Sequence, residues 1–317
     1  MNAIAELRPF GLSADTLPLE ETLERVRIAE AFGVDQVWLG QMPDQRDLGT
    51  VVAAYLSVAQ RIVVGTGVLP VYPRHPAATA QLAATLDEWS GGRFILGLGL
   101  SHPFVNDFLL GIEQGPPLRV MREYVTIVRE LLTTGRTSFD GKEFTARASY
   151  NAPRRADLPI YLAGLRPKMI RLAVEIGDGV VLWLCSARYV EEVVVPTVRR
   201  ACAQFGKDAD GFPIIAMLPT YVSPDSDAAV QQLCWQLAGH AMMPYYQQVL
   251  RAAGLRLPGA DGRLDSATVR EVALVGDRYD VRAAMGRYRT AGVVPTPLPM
   301  PCDRATFMAT IEATHGD

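Results

Sequence analysis

The sequence predicts an α/β protein folded as a (β/α)8 TIM barrel. Short Val/Ile/Leu-rich runs alternate with helical patterns from one end to the other, eight such runs are present, and no linker divides them. The candidate strands are 8–12, 36–39, 61–69, 93–99, 159–163, 179–184, 214–222 and a weak last one near 292–297. Between them, apolar residues recur about every 3.6 positions over 19–32, 47–60, 76–89, 168–176 and 277–291, the stripe a helix needs to cover a sheet. A single domain over 1–317 is expected, because no Pro/Gly/Ser-rich or low-complexity segment interrupts the alternation.

Two stretches exceed a minimal barrel. Residues 101–158 separate the fourth and fifth strands where one helix would suffice, and read as an insertion after strand 4. Within it 118–132 is amphipathic, and T-S-F-D-G-K-E-F-T-A places an Asp140-Gly141 turn between alternating residues, which reads as a hairpin. Residues 224–268 form a helical excursion after strand 7, helical up to Leu255 and then polar and Gly-rich, expected to be a mobile flap. In barrels the loops after the strands carry the chemistry, so both stretches belong at the functional end.

Composition removes several classes of function. The chain of 317 residues is 49% hydrophobic and 21% charged, with 31 Lys plus Arg against 34 Asp plus Glu. A chain this long buries roughly three quarters of its unfolded surface, so it needs neither disulfide nor metal staples. No run approaches the ~18–20 apolar residues of a membrane span, and M-N-A-I-A-E-L-R-P-F-G-L lacks the basic and apolar parts of a secretory leader. A cytoplasmic protein with no membrane partner is expected. Cys185, Cys202, Cys234 and Cys302 show no C-x-x-C spacing and the four histidines no paired spacing, so no metal is expected. The near-neutral charge, with no basic block longer than Arg154-Arg155 or Arg199-Arg200, argues against a nucleic-acid partner.

Barrel chemistry sits at the C-terminal ends of strands, which directs attention to Gly40-Gln41-Met42, the loop from Gly67 to Pro76 with His75, and Gly99-Leu100-Ser101-His102. For His75 and His102 two readings stand, a chemically idle loop histidine or a functional one. The glycines at 65, 67, 97, 99, 164, 177 and 179 also have two readings, close approach of a flat ligand or relief of crowding inside the barrel. Gly97 and Gly99 do not make the dinucleotide fingerprint, since His102 stands where its third glycine belongs. In Ala163-Gly164-Leu165-Arg166-Pro167-Lys168 a strand ends, Gly164 turns the chain and Pro167 opens a helix. Free N–H groups there, helped by Arg166, can hold a phosphate; the alternative is a plain βα turn with solvated basic residues.

Taken together, G-T-G-V-L-P-V-Y-P-R-H-P at Gly65 to Pro76, L-D-E-W-S-G-G-R-F-I-L-G-L-G-L-S-H at Leu86 to His102, R-E-Y at Arg122 to Tyr124, P-I-Y-L-A-G-L-R-P-K-M at Pro159 to Met169, the following R-L-A-V-E-I-G-D-G-V-V-L-W-L and the late A-L-V-G-D resemble the bacterial-luciferase-like superfamily. The details are most similar to actinobacterial oxidoreductases that use the deazaflavin coenzyme F-420 and to methylenetetrahydromethanopterin reductase, with P-R-H-P the discriminator from FMN-using members. The resemblance implies a TIM barrel with the coenzyme ring at its mouth and a cis peptide between Gly67 and Val68 against the ring. It also implies Gly99, Leu100 and Ser101 at the ring's edge, Ala163, Gly164, Leu165, Arg166, Pro167 and Lys168 at the phosphate, and Trp183 and Leu184 beside the pocket. Relatives are commonly dimers, so a homodimer is expected.

One departure sets the direction of the chemistry. Members that oxidise sugars or alcohols carry a histidine at the end of the second strand, where this chain has Gln41, which can orient a polar atom but cannot take a proton. The expectation is a reductase that delivers hydride from F-420 to a C=C or C=N bond of a small organic substrate, with His102 or a pocket water as proton donor. An FMN-dependent monooxygenase and a non-catalytic flavin- or deazaflavin-binding paralogue are the alternatives. Substrate selection is assigned to 104–115 and 224–258.

Overall fold

The computed structural model describes residues 6–13 and 17–316. Residues 1–5, 14–16 and 317, including the start of the segment read above for a leader, lie outside it. Eight strands form the barrel wall: β1 (Pro9–Gly11), β2 (Gln36–Leu39), β3 (Val63–Thr66), β4 (Phe94–Gly99), β5 (Ile160–Ala163), β6 (Gly179–Trp183), β7 (Ile214–Val222) and β8 (Val294–Pro299). Parallel ladders join β1 to β7 in sequence order, and β8 pairs with β7. At the seam β1 lies beside β8, so close that a Cβ on Gly11 would come within 2.8 Å of Leu298 Cβ.

The barrel interior is filled by Trp38, Ile95, Tyr161, Val181, Ile215, Met217 and Val294, one buried cluster. A larger core lies between the strands and the surrounding helices. The helices start and stop on local chemistry. Pro76–Ser90 opens on Pro at its first turn, with His75 Nδ1 accepting from the Ala77 N–H at 3.2 Å, and ends at left-handed Gly91. The other nitrogen of His75 lies 3.1 Å from the Thr145 carbonyl, so this histidine is structural.

The insertion has the predicted parts. Helix Pro117–Thr134 stops at Gly135, and the strands Arg136–Asp140 and Thr145–Ser149 pair antiparallel with Asp140 opposite Thr145. Glu123, 8% exposed, fastens the hairpin to the helix by accepting from the backbone N–H groups of Lys142, Glu143 and Phe144 at 3.0, 2.8 and 3.0 Å. Burial pushes the Glu123 pKa up, but these donors outweigh it and hold the carboxyl below its ordinary value.

Three readings need correction. The third strand is not continuous over 61–69: β3 ends at Thr66, a cis peptide joins Gly67 to Val68, and the chain resumes as Leu69–Pro70 opposite Leu98 and Gly99 of β4. The eighth strand runs to Pro299 rather than ending at 297. A further short strand, Leu274–Gly276, flanks β7 where none was expected. The excursion after β7 holds the helices Ser226–Gln236, Ala238–Ala241, Pro244–Ala252 and Ser266–Val272 around its own core of Leu233, Leu237, Leu250, Leu264 and Val272. Leu264, at 3% exposed, anchors the polar, Gly-rich end.

Candidate active site

At the barrel mouth the strand ends close tightly on Gly67 and Val68. A Cβ on Gly40, after β2, would meet the Gly67 carbonyl at 2.9 Å, and one on Gly99 would meet Val68 Cγ2 at 2.3 Å and Ala163 Cβ at 3.4 Å. The ends of β2, β3, β4 and β5 therefore converge on the cis Gly67-Val68 unit. The deeper glycines are crowded as well: at Gly97 a Cβ would lie 1.7 Å from the Thr66 carbonyl, and at Gly65 it would strike the Trp38 ring at 2.7 Å. The crowding reading therefore holds for these glycines at both depths. Ser101 and Leu184, closing β4 and β6, adopt φ of 60° and 54°. Left-handed backbone costs a side-chain-bearing residue roughly 1 kcal/mol or more and gathers at functional sites.

One corner of the mouth is built for an anion. Helix Pro167–Ile176 starts with Arg166 as its cap residue and Pro167 in the first turn, and no side chain caps it. An uncapped helix start presents N–H groups and the positive end of the dipole. Arg166 and Lys168 are exposed there, Gly164 N donates to the Val181 carbonyl at 3.2 Å, and Tyr189 Oη donates to the Leu165 carbonyl at 2.9 Å, which fixes the turn. Arg166 also donates to Gln248 Oε1 and lies 5.3 Å from the Tyr245 ring centroid. The excursion thus reaches this corner.

Its helix Pro244–Ala252 roofs the mouth. His102 packs 5.9 Å from Tyr245 and 5.1 Å from Tyr246, between ring centroids, and His240 packs 5.9 Å from Tyr246 and 5.6 Å from Trp183. Asn106 donates to the Leu100 carbonyl at 2.8 Å, holding the turn after β4. Burial lowers the His102 pKa; burial and then the neighbouring His102 take His240 down to about 4. Both rings are neutral at pH 7.

Gln41 Oε1, His102 Nδ1 and Trp183 Nε1 are buried and lack hydrogen-bond partners among the described residues. Buried polar atoms are normally satisfied, so orphans at a barrel mouth mark a place for a ligand. Orphaned polar atoms and an uncapped helix start together fit a ligand with an anionic arm. The structure brings Gly67, Val68, Gly99 and Ala163 together, packs Val68 and Trp183 each against the barrel-interior cluster, and joins His102 to the roof. Sequence reading missed His240, Tyr245, Tyr246 and Gln248, which lie in no motif. Among the described residues no group of three or more His, Cys, Asp or Glu could hold a metal, and the buried Cys185 thiol is pushed up to about 12.

These features define a TIM-barrel protein with its orphaned polar groups and an uncapped helix start gathered at the C-terminal ends of its strands. Residues 5–294 match the family of luciferase-like monooxygenases, and the chain belongs to that family. The 5,10-methylenetetrahydromethanopterin reductase of Archaeoglobus fulgidus is 32% identical over 206 residues, 64% of this chain and 61% of that one. That of Methanolobus tindarius is 31% identical over 67% of this chain and 64% of its own, so the match spans less than two thirds of these relatives. A Mycobacterium tuberculosis protein named as a coenzyme F-420-dependent oxidoreductase is 31% identical over 87% of this chain and 89% of its own. Among solved structures, the F-420-dependent tetrahydromethanopterin reductase of Methanopyrus kandleri superposes with a TM-score of 0.84 at 22% identity, covering 97% of this chain and 96% of that one. That likeness is one of fold. Among the described residues no helix is long and apolar enough to cross a membrane.

Proposed function

We propose that this protein is an oxidoreductase that takes the deazaflavin coenzyme F-420 in the barrel mouth and reduces a C=C or C=N bond of a small organic substrate. The observation that carries the reading is the set of buried polar atoms at the mouth without partners among the described residues, Gln41 Oε1, His102 Nδ1 and Trp183 Nε1, beside the uncapped helix start at Pro167. The names of the relatives agree with it. Gly67, Val68, Gly99, Leu100 and Ser101 would flank the ring, and Ala163, Gly164, Leu165, Arg166, Pro167 and Lys168 would hold the phosphate. Trp183 and Leu184 would lie beside them. When bound, the coenzyme supplies the hydride chemistry.

The chain's own residues place the substrate and manage the proton. Gln41 offers a buried carbonyl oxygen that orients a polar atom and takes no proton, which favours reduction over alcohol oxidation. His102 would hold the proton at Nδ1, a buried ring nitrogen without a partner among the described residues. The roof of Tyr245 and Tyr246 excludes water. Parallel fluorescence titrations with F-420 and FMN test the reading: F-420 binding at least tenfold tighter is expected, and tighter FMN binding favours the monooxygenase alternative. Anaerobic reoxidation of bound reduced coenzyme by an unsaturated substrate separates a reductase from a non-catalytic paralogue.

A further inference from the structure

Trp183 stands where three parts of the molecule meet. It ends β6, packs on the barrel-interior cluster, as Val68 also does, and packs as well on the separate core of the excursion. An indole N–H is a donor with no acceptor capacity, and this one is buried without an acceptor among the described residues. Leu184, next in sequence, holds a left-handed backbone that turns the chain away just after the indole. Facing it at 5.6 Å between ring centroids, with planes inclined by 61°, is His240 from the short helix Ala238–Ala241. Among the described residues the His240 ring has aromatic contacts, with Trp183 and Tyr246, and no hydrogen bond, so its N–H is also able to donate.

We propose that Trp183 Nε1 and the His240 imidazole form a two-donor seat for a substrate oxygen, and that the substrates are neutral carbonyl compounds. This inference rests on the mouth being the coenzyme site and names the substrate class that the same site takes. Charge decides the class. The seat holds two N–H donors, and among the described residues no salt bridge or cation–ring contact reaches Trp183 or His240: His240 stays neutral down to about pH 4, and Arg166, which reaches the roof helix from the turn before Pro167, is engaged with Tyr245 and Gln248. A carboxylate or phosphate would enter without a counter-charge, whereas a ketone, aldehyde or conjugated enone presents the neutral acceptor that two N–H groups satisfy. The surroundings, Leu184, Tyr246 and Met243 of the excursion's cluster, suit an apolar carbon frame. Donors aimed at a carbonyl oxygen also favour electron density moving onto that oxygen, which suits a C=C conjugated to it.

The test uses the full chain labelled with nitrogen-15 and no coenzyme. Four tryptophans give four indole N–H signals, and Trp183→Phe identifies the one from Trp183. Titration with cyclohex-2-enone should move that signal, and cyclohexene, of the same frame without the oxygen, should not. His240→Phe should weaken cyclohexenone binding about tenfold by calorimetry, and His240→Gln, which keeps a donor, should recover most of it. A Trp183 signal that ignores the enone, or follows cyclohexene equally, overturns the proposal. So does one that shifts with F-420 alone and then no longer responds to the enone, since the donor would then serve the coenzyme. Should F-420 not bind while the signal still answers the enone, the coenzyme reading falls and the seat stands; should F-420 bind and the signal stay silent to the enone, the seat alone falls.

Discussion

Arg166 and His102 carry the sharpest expectations about single side chains. Replacing Arg166 by Ala removes the cation beside the uncapped helix start and should weaken F-420 binding about tenfold, the ~1.4 kcal/mol scale of one exposed charge-assisted contact. Unchanged affinity in a fluorescence titration would place the phosphate elsewhere. His102→Ala should lower turnover by roughly 10²-fold with coenzyme affinity nearly intact, as for loss of a general acid. Because burial lowers the His102 pKa, the turnover limb should fall below the ~6.5 reference value, with the rate rising as pH drops toward it. The limb should be absent from the mutant, and an identical limb in both proteins would falsify the assignment. Residue type alone could not separate His102 from His75. What separates them is that Ala77 N and Thr145 O satisfy both nitrogens of His75, while Nδ1 of His102 is left without a partner. His240 was invisible in the sequence because its meaning comes from Trp183, fifty-seven positions earlier and brought near only by the fold.

At the scale of elements, periodicity carried the helices and the hairpin, because a single buried face leaves its spacing in the sequence. It could not carry the break at Gly67-Val68, since the run 61–69 is mostly apolar and reads as one strand. Nor could it find the wide turn Phe104–Leu109, whose i→i+5 bonding leaves no distinct spacing over six residues. The short strand Leu274–Gly276 follows a helix directly and is too brief to alternate. The Glu123 contact is the element-scale device with a measurable weight. Glu123→Ala should cost about 2–3 kcal/mol, the scale of hydrogen bonds to a charged acceptor, and should speed amide exchange at Lys142, Glu143 and Phe144. A urea midpoint within error of wild type would show that the hairpin holds without it.

The whole barrel is tied shut by its two ends. Arg8 donates to the His315 carbonyl at 2.8 Å, and Nε2 of His315 lies 3.2 Å from the Arg8 carbonyl. Burial takes the His315 pKa down to about 4, as it does for His240. A histidine whose folded pKa is depressed binds its proton more readily in the unfolded chain. Its stabilising share is therefore complete above the unfolded value of ~6.5 and is lost as pH falls toward 4. Between those limits each such histidine contributes a slope of up to about 1.4 kcal/mol per pH unit. Urea unfolding from pH 7 to pH 5 should show stability falling, with His315→Gln removing about half of the slope. A flat profile would mean that both rings keep their protons after folding.

On the proposed function, the hold of Arg166 on Gln248 and Tyr245 would make the coenzyme corner and the substrate roof thermodynamically reciprocal. One guanidinium serves both, so whatever an anion at the helix start does to the seating of the excursion, a ligand that seats the excursion does to the anion's affinity, by the same factor. Coenzyme and substrate dissociation constants are then linked quantities. Each has a definite value only for a stated occupancy of the other site, and the product of the two binding steps is the same in either order.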